Sequence, residues 1–190
     1  TAGSVILAAI MLKLGAYGFL RLTIPLFPDI WGAQIDIFGV IQTNMAQIFA
    51  VLAMLGIILG AMAAYGQTDI KRLVAYSSVN HMGFVALGLA VTALAYSQQV
   101  LQGTAEAQQS AILATNGAVL QMFSHGIMTG LFFGLIGMVY GRTHTRIMPD
   151  MGGLARVLPW FATTFFIGGL ASLGLPGLSG FVAEAHVFLG

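Results

Sequence analysis

Cysteine is absent from this chain, and charge nearly so: its 190 residues include no Cys, seven Lys/Arg and six Asp/Glu. The missing thiols exclude disulfides, thiolate metal sites and cysteine-ligated clusters. Charged residues make up 7% of the chain, where a soluble domain carries about 25%, so too few exist to solvate a globule of this size. A formal net charge of +1 leaves no basic stripe to neutralise phosphates, which excludes an electrostatic nucleic-acid binder. What is present is apolar: 58% hydrophobic residues and a mean hydropathy of +0.91. A water-soluble fold is ruled out. The composition predicts an integral membrane protein, an all-α polytopic bundle forming one transmembrane domain over residues 1–190.

Five apolar runs approach the roughly 20 residues needed to cross a bilayer. They cover about Ser4 to Ile24, with Pro25 and Pro28 at the exit; Met45 to Tyr65; Lys71-Arg72 onward to Tyr96; Ile112 to Tyr140; and Pro159 to the end of the chain. A Gln-rich polar stretch, Ser97 to Ser110, reads as the connection between the third and fourth. The start at Thr1 without a basic leader, and the apolar ending at Gly190, predict an internal piece of a longer polytopic protein. The fifth run is interrupted by Gly174-Leu175-Pro176-Gly177-Leu178-Ser179-Gly180. Helix breakers at membrane depth are tolerated where freed backbone faces protein or a wet cavity. A plain proline kink is the simpler alternative, but ionisable Glu184 follows at once.

If the segments alternate in direction, the second and fourth connections share one side with Lys71, Arg72, Arg142, Arg146 and Arg156, against Arg21 alone opposite. By the positive-inside rule that side is cytoplasmic, or its topological equivalent. Lys13, His81, His125, Glu184 and His186 fall inside the apolar segments. A charge at the bilayer centre costs about 2.5–3.5 kcal/mol on insertion scales, so each of these residues is a functional candidate. Blander roles compete: Lys13 could snorkel, and a lone His is often a hydrogen-bonded interior residue. Ser77, Ser78 and Asn80 precede His81, while Gln121 and Ser124 precede His125; such groups hold water or bond between helices. Counted along the helix at about 1.5 Å per residue, His81 lies about 15 Å and His125 about 25 Å from the charged end of its own segment, with Glu184 beyond the midplane. That arithmetic predicts three groups stepping across the membrane and bridged by water. It also argues against His81 and His125 as axial ligands of one haem, which must share a depth. His186 beside Glu184 makes two candidate metal ligands, too few for a site.

Several stretches resemble a known family. Gly66-Gln67-Thr68-Asp69-Ile70-Lys71-Arg72-Leu73-Val74-Ala75-Tyr76-Ser77-Ser78-Val79-Asn80-His81-Met82-Gly83-Phe84 resembles the antiporter-like membrane subunits of proton-pumping NADH:quinone oxidoreductase, respiratory complex I and its photosynthetic relatives. The opening, Ala2 to Gly18, is similar to that family's eighth transmembrane helix, Gln121-Met122-Phe123-Ser124-His125-Gly126 to its eleventh, and Leu175 to Glu184 to its broken twelfth. The resemblance covers essentially the whole chain, as an internal fragment of about helices 8–12.

The resemblance implies roles. Lys13 matches the lysine linking two half-channels, His81 and His125 match histidines of the second half-channel, and Glu184 matches the terminal ionisable group facing the outer exit. Glutamate there, where other antiporter-like subunits usually carry lysine, implies the subunit-4 (M) type. Asn80 stands where Ser is expected, and the family's glutamate on helix five and lysine on helix seven lie upstream of Thr1. The implied function is proton translocation by a relay of Lys13, His81, His125 and Glu184, with Gly174, Pro176, Gly177 and Gly180 breaking the helix at the channel. The chain itself would carry no cofactor. NAD(P)H or another donor, iron–sulfur clusters and quinone would belong to other subunits. Partners would be those membrane subunits, homologous antiporter-like ones among them, with lipid, water and protons. The membrane implied is the bacterial cytoplasmic one, with the thylakoid or mitochondrial inner membrane as alternatives. A multisubunit Na+/H+ antiporter shares the motifs and is the alternative function. A purely structural scaffold would leave the ionisable residues unexplained.

Overall fold

Each of the first four apolar runs becomes one long helix, and the fifth becomes two shorter ones, in the computed structural model, which describes residues 2–37, 41–102 and 105–190. Helix α1 spans Ala2–Leu26, with π-helical turns at Leu7–Met11 and Phe19–Thr23. Pro28 opens the short α2, Pro28–Gly32. Proline fits there because its missing N–H has no carbonyl to serve at a helix start. A small antiparallel hairpin follows, β1 Gln34–Ile37 and β2 Ile41–Asn44, with Asp36 opposite Gln42. Strands of four residues are too short for the hydropathy pattern to announce.

Helix α3, Met45–Tyr65, opens on a capping box: Gln47 N–H donates to Asn44 Oδ1 at 2.9 Å, and Asn44 N–H to Gln47 Oε1 at 3.2 Å. Helix α4, Ile70–Gln102, is capped by the Asp69 carboxylate, which accepts the Lys71 N–H at 2.8 Å and the Arg72 N–H at 3.2 Å. Helix α5 runs Ala105–Thr143. The polar stretch Ser97 to Ser110 is therefore mostly helical instead of a loop, with residues 103–104 outside the described ones. Gln, Ala and Glu are good helix formers, and a helix need not stop where its apolar surface stops. The short α6, Leu154–Val157, leads to α7, Pro159–Ser172, and α8, Ser179–Leu189. The break between α7 and α8 occupies Leu173 to Leu178. Gly180, expected within it, is already helical and packs against the other half, where an added Cβ would stand 2.7 Å from Ala171 O.

The expected pairing of connections holds. Ile70 N–H donates to Arg146 O at 3.0 Å, Met148 N–H to Thr68 O at 2.9 Å, and Arg146 lies 3.8 Å from Asp69. The arginine-bearing ends of α4 and α5 are thus one face of the bundle. At the opposite end Phe19 stacks on Phe49 at 5.5 Å with Trp31 tilted against both.

Helices α4 and α5 form the centre, each about half buried, while α1 and α3 expose apolar side chains along most of their length. Such a surface suits lipid or neighbouring membrane helices. Helix α8 seats on the α4–α5 pair through small residues. A Cβ on Gly117 would stand 2.7 Å from Val187 N and 2.9 Å from Ala183 O, an approach that only glycine permits. Two apolar clusters divide the interior. One holds Val85, Leu89, Ala118 and Met122, the other Val74, Met128, Phe132 and Ile136. Between them lies a polar band.

Candidate functional site: a polar band at the helix break

His81 sits at the centre of this band, 7% exposed, between Val74 and Val85 of the two apolar clusters. Its Nε2 lies 3.1 Å from Ser172 Oγ, on the last residue of α7. Its Nδ1 lies 3.3 Å from Gln121 Nε2 of α5 and 3.7 Å from Glu184 Oε1 of α8. The ring therefore spans the break, touching the end of one half-helix and a carboxylate of the other. His125 packs beside it, with ring centroids 5.4 Å apart and planes inclined by 38°. His125 is 1% exposed, and neither of its ring nitrogens has a hydrogen-bond partner among the described residues. Buried polar atoms without partners are uncommon in native folds and mark wet or functional places. Ser124 of α5 and Ser179 of α8 close the band with hydroxyl oxygens 2.7 Å apart.

The stepped arrangement expected from helix arithmetic is not what the chain adopts. His81 meets both His125 and Glu184, so the three lie together instead of being stepped apart. The error lay in counting each residue from the charged end of its own helix. Helices α4 and α5 form an antiparallel hairpin, and α5 runs further at the arginine-bearing end. Counted from their shared connection, His81 and His125 are almost equally far along, and register pairs them, as it pairs Thr92 with Thr115 (hydroxyls 3.1 Å apart). The depth objection to a shared haem falls with this, but the packed rings leave no room between them for a macrocycle.

Glu184 is held by the break itself. Gly174 has φ +65°, and an added Cβ there would stand 2.9 Å from Glu184 Oε2. Lys13 lies on the flank of the band, partly buried, with its Nζ donating to Ala8 O in the adjoining π-helical turn. Its stem passes over Gly126, the neighbour of His125, with Cε 3.8 Å from where a Cβ at 126 would be. No described carboxylate bonds it.

The other polar candidates scatter. Asn80 points away from the band and donates to Ile57 O of α3 at 2.9 Å. Ser77 and Ser78 both donate to Val74 O of their own helix, at 2.9 and 3.0 Å. His186 turns back to Val182 O at 2.7 Å, on a different face from Glu184, and no group of three metal-ligating side chains occurs among the described residues. Ser172 was not singled out by the sequence. Its signal was its place, one residue ahead of the helix breakers.

The family described as "NADH:quinone oxidoreductase/Mrp antiporter, TM" matches residues 1–190. The chain belongs to this family. Chain 4 of the NAD(P)H-quinone oxidoreductase of a Picosynechococcus species is 39% identical over 187 residues, which are 98% of this chain and 29% of the relative. The corresponding chain 4 of Trichormus variabilis is 40% identical over 188 residues, 99% of this chain and 30% of the relative. Among solved structures, respiratory complex I from Thermus thermophilus with bound NADH contains a chain superimposing with a TM-score of 0.74 at 30% identity, over 93% of this chain and 32% of that one.

The resemblance drawn from the motifs therefore holds, including its subunit-4 type. As in that family, the fold is an all-α membrane helix bundle, and the protein is an integral membrane one. The chain spans about three tenths of the length of the curated relatives it matches.

Proposed function

We propose that this chain carries protons through the membrane arm of an NAD(P)H:quinone oxidoreductase, by a relay of Lys13, His125, His81 and Glu184. The observation that supports the reading is the polar band: His81 touches Glu184, His125, Gln121 and Ser172 between two apolar clusters. Imidazole exchanges protons near neutral pH more readily than any other side chain. The apolar clusters on either side hinder free water from short-circuiting the path. Lys13, on the flank beside Gly126, is the entry to the band, and Glu184 is the group from which a proton departs along the break.

In this reading the chain performs no redox chemistry. Donor oxidation, iron–sulfur clusters and quinone reduction belong to other subunits, which with homologous antiporter-like subunits are its partners. The arginine-bearing face is the cytoplasmic side of a bacterial or thylakoid membrane. The test is proton pumping in inverted vesicles holding the whole complex. His81→Ala and Glu184→Gln should assemble, and should lose most acidification per quinone reduced or lose both activities together. Full pumping by assembled variants would overturn the relay. The family description also names Mrp antiporters. Sodium-dependent proton movement without NADH would assign the same relay to cation exchange.

A further inference from the structure

We propose that Gln121 is a latch on this relay, its side-chain amide setting which nitrogen of His81 holds a proton and when that proton passes to Glu184. The inference rests on the relay reading above. Gln121 is 2% exposed and lies one turn from His125 on the same face of α5. Its Nε2 is 3.3 Å from His81 Nδ1, while its Oε1 is buried without a partner among the described residues. A side-chain amide carries only donors on nitrogen and only acceptors on oxygen. With the NH2 group facing it, Nδ1 must be an unprotonated acceptor. The ring proton then sits on Nε2, where Ser172 Oγ at 3.1 Å accepts it. This arrangement specifies one tautomer of neutral His81.

Glu184 Oε1 competes for the same Nδ1 from 3.7 Å. A proton arriving on Nδ1 would meet the Gln121 NH2 group donor to donor, which is repulsive. Two escapes exist. The amide can rotate by half a turn, so that its now unpartnered oxygen accepts the Nδ1 proton and the imidazolium is held. Or the proton can leave Nδ1 for Glu184 Oε1, giving neutral imidazole and a carboxylic acid. Rotation of the NH2 group back toward Nδ1 removes the first option and leaves the second. The amide thus holds a proton on His81 in one orientation and expels it to Glu184 in the other. Gln121 is in this sense a positioning residue, since it never carries the proton itself. The titratable groups facing His81 are Glu184 from α8 and His125 from α5. Lys13 of α1 stands beyond His125. Helix α7 contributes no titratable residue, and α3 only Tyr65, at its far end.

Two variants of Gln121 separate the possibilities, studied in the whole complex in vesicles. Gln121→Met keeps length and removes both hydrogen-bonding ends. Gln121→Glu keeps length and, as the carboxylate, offers only acceptors. Infrared difference spectra of complex grown on ring-labelled histidine report the tautomer of His81, identified by the bands that vanish in His81→Ala. Wild type should show Nε2–H, Gln121→Met a mixture of tautomers, and Gln121→Glu a proton on Nδ1. Protons pumped per quinone reduced should fall about tenfold in both variants, with assembly unchanged. Wild-type tautomer bands in both variants, or wild-type pumping in an assembled Gln121→Met complex, would overturn the latch. Should Gln121→Met not assemble, Gln121→Glu alone decides by the same bands. If His81→Ala itself pumps normally, the relay fails and not merely the latch, so the two failures are told apart.

Discussion

Gly174→Ala, set against Gly177→Ala, tests whether the helix break exists to place Glu184. Both glycines hold left-handed backbone, φ +65° and φ +98°, and an alanine in either place incurs about 1–2 kcal/mol of steric strain. The surroundings differ. A Cβ at 174 would meet Glu184 Oε2 at 2.9 Å, its carboxyl carbon at 3.6 Å and Oε1 at 3.8 Å, while a Cβ at 177 would meet nothing within 4 Å. The carboxylate is the free end of a flexible side chain, so it yields by about half an ångström at little further cost, toward ordinary contact distance. Oε1 moves with it, and Oε1 is the atom 3.7 Å from His81 Nδ1. If a misplacement of about 1 Å at a reacting pair costs about a hundredfold, half of that costs about tenfold. The expected outcome is a similar loss of thermal stability in the two variants and a roughly tenfold loss of proton flux in Gly174→Ala alone. The assay is dye-reported acidification of inverted vesicles, normalised to assembled complex and to quinone reduced. Equal loss of flux in both variants at equal assembly would mean that strain in the break, and not the position of Glu184, governs pumping, and the reasoning would be refuted.

Three further outcomes are expected. Lys13→Ala should assemble, since deleting a half-buried charge need not weaken a bundle, and should pump severely less; Lys13→Arg should rescue poorly because guanidinium does not release its proton, and normal pumping by assembled Lys13→Ala would remove Lys13 from the path. Cysteines placed at Asp69 and at Glu106 should label from opposite sides of the membrane, because they stand at opposite ends of the α4–α5 hairpin; labelling of both from one side would contradict the topology. Asn80→Leu should weaken the α3–α4 contact by about 0.6–1 kcal/mol, the value of one interhelical hydrogen bond to Ile57 O, yet leave pumping intact, whereas a loss as deep as that of His81→Ala would bring Asn80 into the relay.

Much of this was legible in the residues. Met45 to Tyr65 was legible because its composition is apolar throughout, and the structure adds the cap at Asn44. The break was legible because Gly174, Pro176 and Gly177 cannot continue a helix. Lys13, His81, His125 and Glu184 stood out because charge is so scarce that each ionisable group in an apolar run demands a reason. What failed was relative depth. Rise per residue is a sound ruler within one helix, but the origin must be shared, and Arg142 lies on a part of α5 that extends beyond the start of α4. The register of a hairpin is set by close contacts such as Gly88 against Ala118, and these belong to pairs of helices, not to a single segment. For the same reason Gln121 could be suspected but not assigned. One-dimensional spacing puts it on the face of His125, and only the fold puts His81 in front of it.

In the proposed relay, the contact of His81 with Glu184 brings together two residues that are costly to place singly at membrane depth. Placing a charged residue at the centre of a membrane helix costs about 2.5–3.5 kcal/mol on insertion scales. At the observed 3.7 Å, with an effective dielectric constant of about 20, their mutual attraction returns about 4–5 kcal/mol. An attraction of that size offsets much of what placing the two residues at membrane depth costs. At the stepped distances that helix counting suggests, the attraction would be severalfold weaker. The glycines that let α8 press against α4 and α5 are thus what bring Glu184 within reach of His81.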